Sequence, residues 1–179
     1  MFRYTSLVLA SVLATTFIAG QPAHAAGDKL VIDLKSGKVV IQLRPDLAPK
    51  HVARVKTLAG QGFYNGIKWH RVIDGFMAQT GDPTGTGAGG SKLPDLPAEL
   101  SNEPFKRGTV GAARTSDPNS ANSQFFICFN DTGCHGLTGQ YTVWGQVVSG
   151  MENVDKIKSG EPGSGTVTDP DVMVKVYVQ

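Results

Sequence analysis

The chain is poor in the features that hold small proteins together without a core. Only two of its 179 residues are cysteines, Cys128 and Cys134, so no disulfide framework can stand in for buried apolar surface. Aromatic residues make up 8% and the formal net charge is +2. Acidic and basic residues are interspersed, which leaves no electrostatic case for nucleic acid or anionic lipid as a partner. The longest apolar run, Leu7 to Ile18, is shorter than the roughly 20 residues of an ordinary spanning helix. His51, His70 and His135 stand in no i, i+3 or i, i+4 relation to one another or to Cys134, which argues against a zinc site. A GxSxG elbow is missing, and no local signature activates a cysteine nucleophile. Gly85 to Gly90 satisfies GxGxxG, but Ser91 to Pro97 cannot start the helix that a dinucleotide fingerprint needs. Asn130-Asp131-Thr132 fits a glycosylation sequon, which has meaning only on a eukaryotic secretory route.

What is present begins with an export signal. Arg3, the apolar stretch Leu7 to Ile18 and the small-x-small site Ala23-His24-Ala25 have the organisation of a secretory signal peptide. Residues 1–25 are expected to be removed, with no stable membrane insertion afterwards. Taking 25 from 179 leaves 154 residues, 26–179, a length suited to one domain with its own core. An exported location follows, the periplasm or, alternatively, secretion. In such a compartment Cys128 and Cys134 could form a bridge, or Cys128 could be a buried strand residue and Cys134 a loop thiol. Sequence does not report the Cα separation that decides between them.

Leu30, Ile32 and Leu34 alternate with other residues, as do Val39, Ile41 and Leu43 after Ser36-Gly37, which predicts a β-hairpin. Val52, Val55, Leu58 and Ala59 recur at helical spacing behind Pro49, a residue tolerated in a first turn. That helix should end between Gly60 and Gly62. Further strands are expected at Thr109–Ala113, Gln124–Phe129 and Thr142–Val148, a short helix near Met151–Lys158, and a last strand with Val172, Val174, Val176 and Val178 on one face. Many short strands with two helices suggest a barrel or sandwich.

The most informative segment is Trp69-His70-Arg71-Val72-Ile73-Asp74-Gly75-Phe76-Met77-Ala78-Gln79-Thr80-Gly81-Asp82. Strand residues two apart share a face, so Arg71 groups with Ile73, and Met77 with Gln79 across the Asp74-Gly75 turn. The segment resembles the signature of the cyclophilin-type peptidyl-prolyl cis-trans isomerases. The family's second block follows as Gly111-Ala112-Ala113-Arg114-Thr115 and Ser123-Gln124-Phe125-Phe126-Ile127. The resemblance implies a mainly β fold, a closed eight-stranded antiparallel β-barrel with two capping α-helices, and a cofactor-free, metal-free isomerase acting on Xaa-Pro bonds. Its partners would be proline-containing peptides and folding exported proteins.

By the same resemblance Arg71 is the catalytic arginine, and Phe76, Met77, Phe126 and Leu137 form a proline pocket. Gln79 and Gln124 are amide partners of the substrate backbone, while main chain at Ala113 and Arg114 pairs with an extended peptide. Phe125, one residue from Phe126, should face the core. Cyclosporin-binding relatives carry Trp just before the position of Leu137 and His four residues beyond it. Here Gly136 and Tyr141 stand there, which implies weakened cyclosporin binding, with the Tyr141 phenol still able to donate to a substrate carbonyl. Arg114 replaces a commoner Asn and is expected to act through its backbone. A proline-binding module without turnover is the competing reading, and a cation at Arg71 favours catalysis.

Overall fold

Alternating apolar residues pair the first two strands, β1 (Lys29–Leu34) and β2 (Gly37–Leu43), with Leu30 opposite Ile41 and Ile32 opposite Val39 in a computed structural model that describes Met1 and residues 28–179. The expected signal peptide, residues 1–25, falls outside the described residues apart from Met1. Helix α1 (Pro49–Gly60) buries Val52, Val55, Leu58 and Ala59, the stripe its spacing predicts, and His51 besides. Ala48 offers no side-chain cap. The Glu99 carboxylate does so instead, accepting the Lys50 and His51 N–H groups at 3.1 and 3.0 Å, where the helix dipole favours an anion.

The other strands are β3 (Arg71–Ile73), β4 (Met77–Thr80), β5 (Thr109–Ala112), β6 (Phe125–Cys128), β7 (Val143–Ser149) and β8 (Lys175–Val178). All eight join one antiparallel sheet in the order β3-β4-β6-β5-β7-β2-β1-β8. Its concave side holds the main core, in which Trp69, Trp144, Tyr64 and Phe125 are fully buried. The sheet is a curled half-barrel rather than the closed barrel expected. Among the described residues no ladder joins β3 to β8, and single bridges at Lys68↔Val172 and Arg71↔Thr166 span the seam.

Two further expectations need correction. The second helix, α2, covers only Met151–Val154. The four valines of the last strand do not share a face either: Val174 is exposed, while Met173 and Val176 are buried. Two buried positions three residues apart break the period-2 pattern, and Val174 N–H donates to the Asp33 carbonyl at 2.8 Å before regular pairing begins. Strand β8 is therefore short. Among the described residues no helix is long and apolar enough to cross a membrane.

Candidate active site

The β3–β4 hairpin places Arg71 opposite Gln79 and Ile73 opposite Met77, which puts these four side chains on one face, as their spacing predicts. Val72 and Ala78, between them, are fully buried in the main core. Strand β4 then pairs with β6, Gln79 opposite Phe126 and Met77 opposite Cys128. Phe126 therefore joins the Arg71 face, and Phe125 turns to the core.

On that face a second apolar cluster forms from Met77, Phe105, Phe126, Cys128, Cys134 and Val143, with Phe76, Leu137 and Tyr141 packed against it. Phe105 stacks on Phe126 at 5.7 Å between centroids, and Tyr141 meets its edge at 5.8 Å. Gly111 leaves room for this ring: a Cβ there would lie 2.5 Å from Phe126 Cζ. Phe105 carried no sequence signal, since it stands alone after Pro104 in an irregular stretch. The cysteines are bridged, with Cα atoms 6.1 Å apart. The bond ties β6 to the 3₁₀ turn His135–Leu137 and holds the segment bearing Leu137 and Tyr141 against the cluster.

Arg71, Phe76, Met77, Gln79, Ala113, Arg114, Phe126, Leu137 and Tyr141 together line a cleft of about 200 Å³. Gln124, the remaining residue singled out from sequence, lines an adjoining cleft of about 300 Å³ that shares Gln79, Ala113 and Arg114. A relay connects the two. Arg71 Nη1 donates to Gln79 Oε1 at 3.2 Å, and Gln79 Nε2 donates to Gln124 Oε1 at 2.9 Å. Gln124 Nε2 in turn donates to the carbonyls of Gly87 and Gly89 at 2.9 and 2.8 Å. The glutamines therefore aim the arginine as well as facing the cleft.

The glycine-rich loop at the far end of this relay wraps a carboxylate, not a phosphate. Asp82 accepts the N–H groups of Thr84, Thr86, Gly87 and Gly89 at 2.7 to 3.1 Å. Burial pushes its carboxyl up, but these donors and the Thr84 hydroxyl outweigh burial and bring it down to about 2.

Two residues that follow β5, Ala113 and Arg114, make contacts within the chain. Ala113 donates its N–H to the Gln124 carbonyl at 3.0 Å, which leaves the Ala113 carbonyl and the Arg114 peptide group for the extended-peptide pairing that the resemblance implies. The Arg114 side chain, at a position expected to act through its backbone, makes contacts of its own. Its guanidinium lies 4.3 Å from the Tyr141 ring centroid and donates to the Thr115 and Gln140 carbonyls at 2.8 and 3.0 Å. A cation over an aromatic face is attracted by the ring quadrupole, so two departures from the better-known family pattern touch each other.

The family model for cyclophilin type peptidyl-prolyl cis-trans isomerase/CLD matches residues 29–178. The chain belongs to the cyclophilin-type peptidyl-prolyl cis-trans isomerases. A relative from Brucella suis biovar 1 (strain 1330), named "Probable peptidyl-prolyl cis-trans isomerase", is 52% identical over 192 aligned positions, covering 99% of this chain and 97% of its own. A peptidyl-prolyl cis-trans isomerase of Helicobacter pylori (strain ATCC 700392 / 26695) is 40% identical over 134, covering 73% of this chain and 80% of its own. Among solved structures, cyclophilin AquaCyp293 from Hirschia baltica superposes with a TM-score of 0.73 at 26% identity, covering 84% of this chain and 73% of the other. A Cryptosporidium parvum cyclophilin-type isomerase, solved in the presence of the dipeptide Ala-Pro, gives 0.75 at 26% identity, with 84% and 98% covered. This cyclophilin is accordingly an isomerase enzyme of a family that needs no cofactor.

Proposed function

We propose that this cyclophilin is an exported isomerase that assists the folding of other exported chains, with Arg71 as its catalytic residue. The observation that carries the assignment of Arg71 is its position on the face of β3 that borders the aromatic cleft. The Xaa-Pro bond has a barrier of about 18–20 kcal/mol from amide resonance, and no bond need break to cross it. Twisting the amide localises the lone pair on nitrogen, so a donor near that atom favours the twisted form over the planar one. Phe126, Phe76, Met77 and Leu137 offer the proline ring a rigid aromatic wall with an adaptable methionine beside it. The Ala-Pro dipeptide present with the Cryptosporidium parvum relative is of a size suited to such a cleft.

Export is supported by the signal-like residues 1–25 and by the Cys128–Cys134 bridge, because disulfides persist in oxidising compartments. Cell fractionation with N-terminal sequencing tests this. A chain beginning at Ala26 outside the cytoplasm is expected, and an unprocessed cytoplasmic chain would overturn the reading. The folding role is tested by refolding an exported client whose slow phase is proline-limited. The isomerase should shorten that phase in proportion to its concentration.

Weakened cyclosporin binding belongs to the same proposal. Among the described residues, nothing beyond Gly136 and its two chain neighbours lies within 4 Å of the place a Gly136 Cβ would take, so the edge of the cleft is open where a tryptophan would add a wall and an N–H. Gly136→Trp is expected to tighten inhibition by about tenfold, from burial of part of an indole ring, while turnover changes little. Activity titrated with the drug gives the answer, and a variant inhibited no better than the parent would show that the missing ring does not set the affinity.

A further inference from the structure

Strand β3 lies at one end of the sheet, and its outer edge is covered by the segment 159–166. Gly160 N–H donates to the Val72 carbonyl at 3.0 Å, and Val72 N–H donates to the Gly165 carbonyl at 2.8 Å. The segment is closed on itself by Glu161 N–H to Thr166 O at 2.9 Å and Gly165 N–H to Glu161 O at 2.8 Å. The Ser159 hydroxyl donates to the Asp74 carboxylate, fastening the start of the loop to the β3–β4 turn.

This loop also holds Arg71. Nε donates to the Ser164 carbonyl at 3.2 Å, opposite the Nη1 contact to Gln79. Gly165 permits the approach: its φ is +75°, and a Cβ there would overlap Ile73 Cγ1 and lie 3.2 Å from Arg71 Cγ. We propose that the loop 159–166 is a positioning element of the isomerase, in which the Ser164 carbonyl and the close approach at Gly165 fix the Arg71 guanidinium before substrate arrives. The proposal rests on the catalytic reading of Arg71. An unrestrained arginine samples many rotamers, of which few aim a donor at a given amide nitrogen. With Nε and one Nη1 hydrogen engaged, three of its five donor hydrogens remain for the cleft.

The test is a double-mutant cycle on the mature chain with an Xaa-Pro peptide. Gly165→Ala is expected to lower kcat about tenfold, with KM within about twofold of wild type. In an Arg71→Ala background the same change should produce no further loss. Equal fold-losses in both backgrounds would overturn the proposal, because the loop would then be acting on the site by another route. Unchanged kcat for a folded Gly165→Ala protein would overturn it as well. Wild-type activity of Arg71→Ala itself is a separate result, which removes the catalytic reading on which the loop's role depends. Should Gly165→Ala not fold, Ser159→Ala releases the Asp74 tether without entering the Ile73 contact. It should lower kcat in the same Arg71-dependent way, with recovery in Ser159→Thr, and a Ser159→Ala protein with wild-type kcat counts against the loop. An NMR readout stands apart from activity: the Arg71 Nε–H should be protected from solvent exchange in wild type. Exchange as fast as in exposed arginines would overturn the proposal.

Discussion

Arg71→Ala is expected to lower kcat/KM for an Xaa-Pro peptide by roughly two to three orders of magnitude, the usual consequence of removing one preorganised donor from a transition state. The fold should survive, because the main core takes Val72 from β3 and leaves Arg71 only partly buried on the opposite face. Its two side-chain bonds are to Ser164 and Gln79, neither of which lies in the core. Arg71→Lys should also be impaired: an ammonium keeps the charge but cannot hold the Ser164 carbonyl while presenting a second donor in a fixed plane. A protease-coupled or NMR exchange assay beside a thermal melt separates the two effects. A folded Arg71→Ala protein with wild-type turnover would remove Arg71 from the mechanism. The cleft would then act by binding alone.

The parts of this site that were legible in the sequence are those encoded at period 2. Alternation through Arg71-Val72-Ile73 and Met77-Ala78-Gln79 assigned each side chain to the correct face, and the turn at Asp74-Gly75 set their register. Gln79 and Gln124 were singled out as amide partners of a substrate, but their role in aiming Arg71 and the contribution of Ser164 were not legible, because the contacts are made between distant parts of the chain. Gln124 is 45 residues from Gln79, and Ser164 is 93 from Arg71. Glu99, which caps α1, lies 48 residues from His51 in a stretch with no periodicity. Nor could a pattern of strands foretell that the sheet stops short of closure, since the β3–β8 seam depends on how far eight strands curl. Local alternation also misled at Val174, where the chain shifts by one residue before entering β8. The contact between Arg114 and Tyr141 joins two positions that sequence could read only one at a time.

Phe125 and Phe126 offer the sharpest separation of stability from activity, because adjacent residues of one strand serve the two sides of the sheet. Phe125 is 1% exposed and meets Tyr64, Trp69 and Trp144 edge-on at centroid distances of 5.7, 6.1 and 5.3 Å. Truncating it leaves a cavity inside a rigid aromatic cluster that cannot collapse, so Phe125→Ala should destabilise the domain by about 3–5 kcal/mol. Whatever protein remains folded should turn over peptide with nearly wild-type kcat/KM. Phe126 is also buried, at 4% exposure, but against Phe105 and Tyr141 in the smaller cluster that walls the cleft. Its loss should cost less stability, since one side of the ring faces the cleft rather than packed core. The proline ring would lose its aromatic wall, and an apolar contact worth about 1.5–3 kcal/mol translates into a tenfold to hundredfold fall in kcat/KM. Chemical denaturation and activity measured on both variants decide the matter. Should Phe125→Ala lose activity at unchanged stability, while Phe126→Ala unfolds readily and stays active, the division of the sheet into a core side and a catalytic side would be inverted. The position of Gly111 argues against that outcome: this glycine leaves the space that the Phe126 ring fills, and a ring seated there is supported from behind by Phe105 while its edge carries Tyr141.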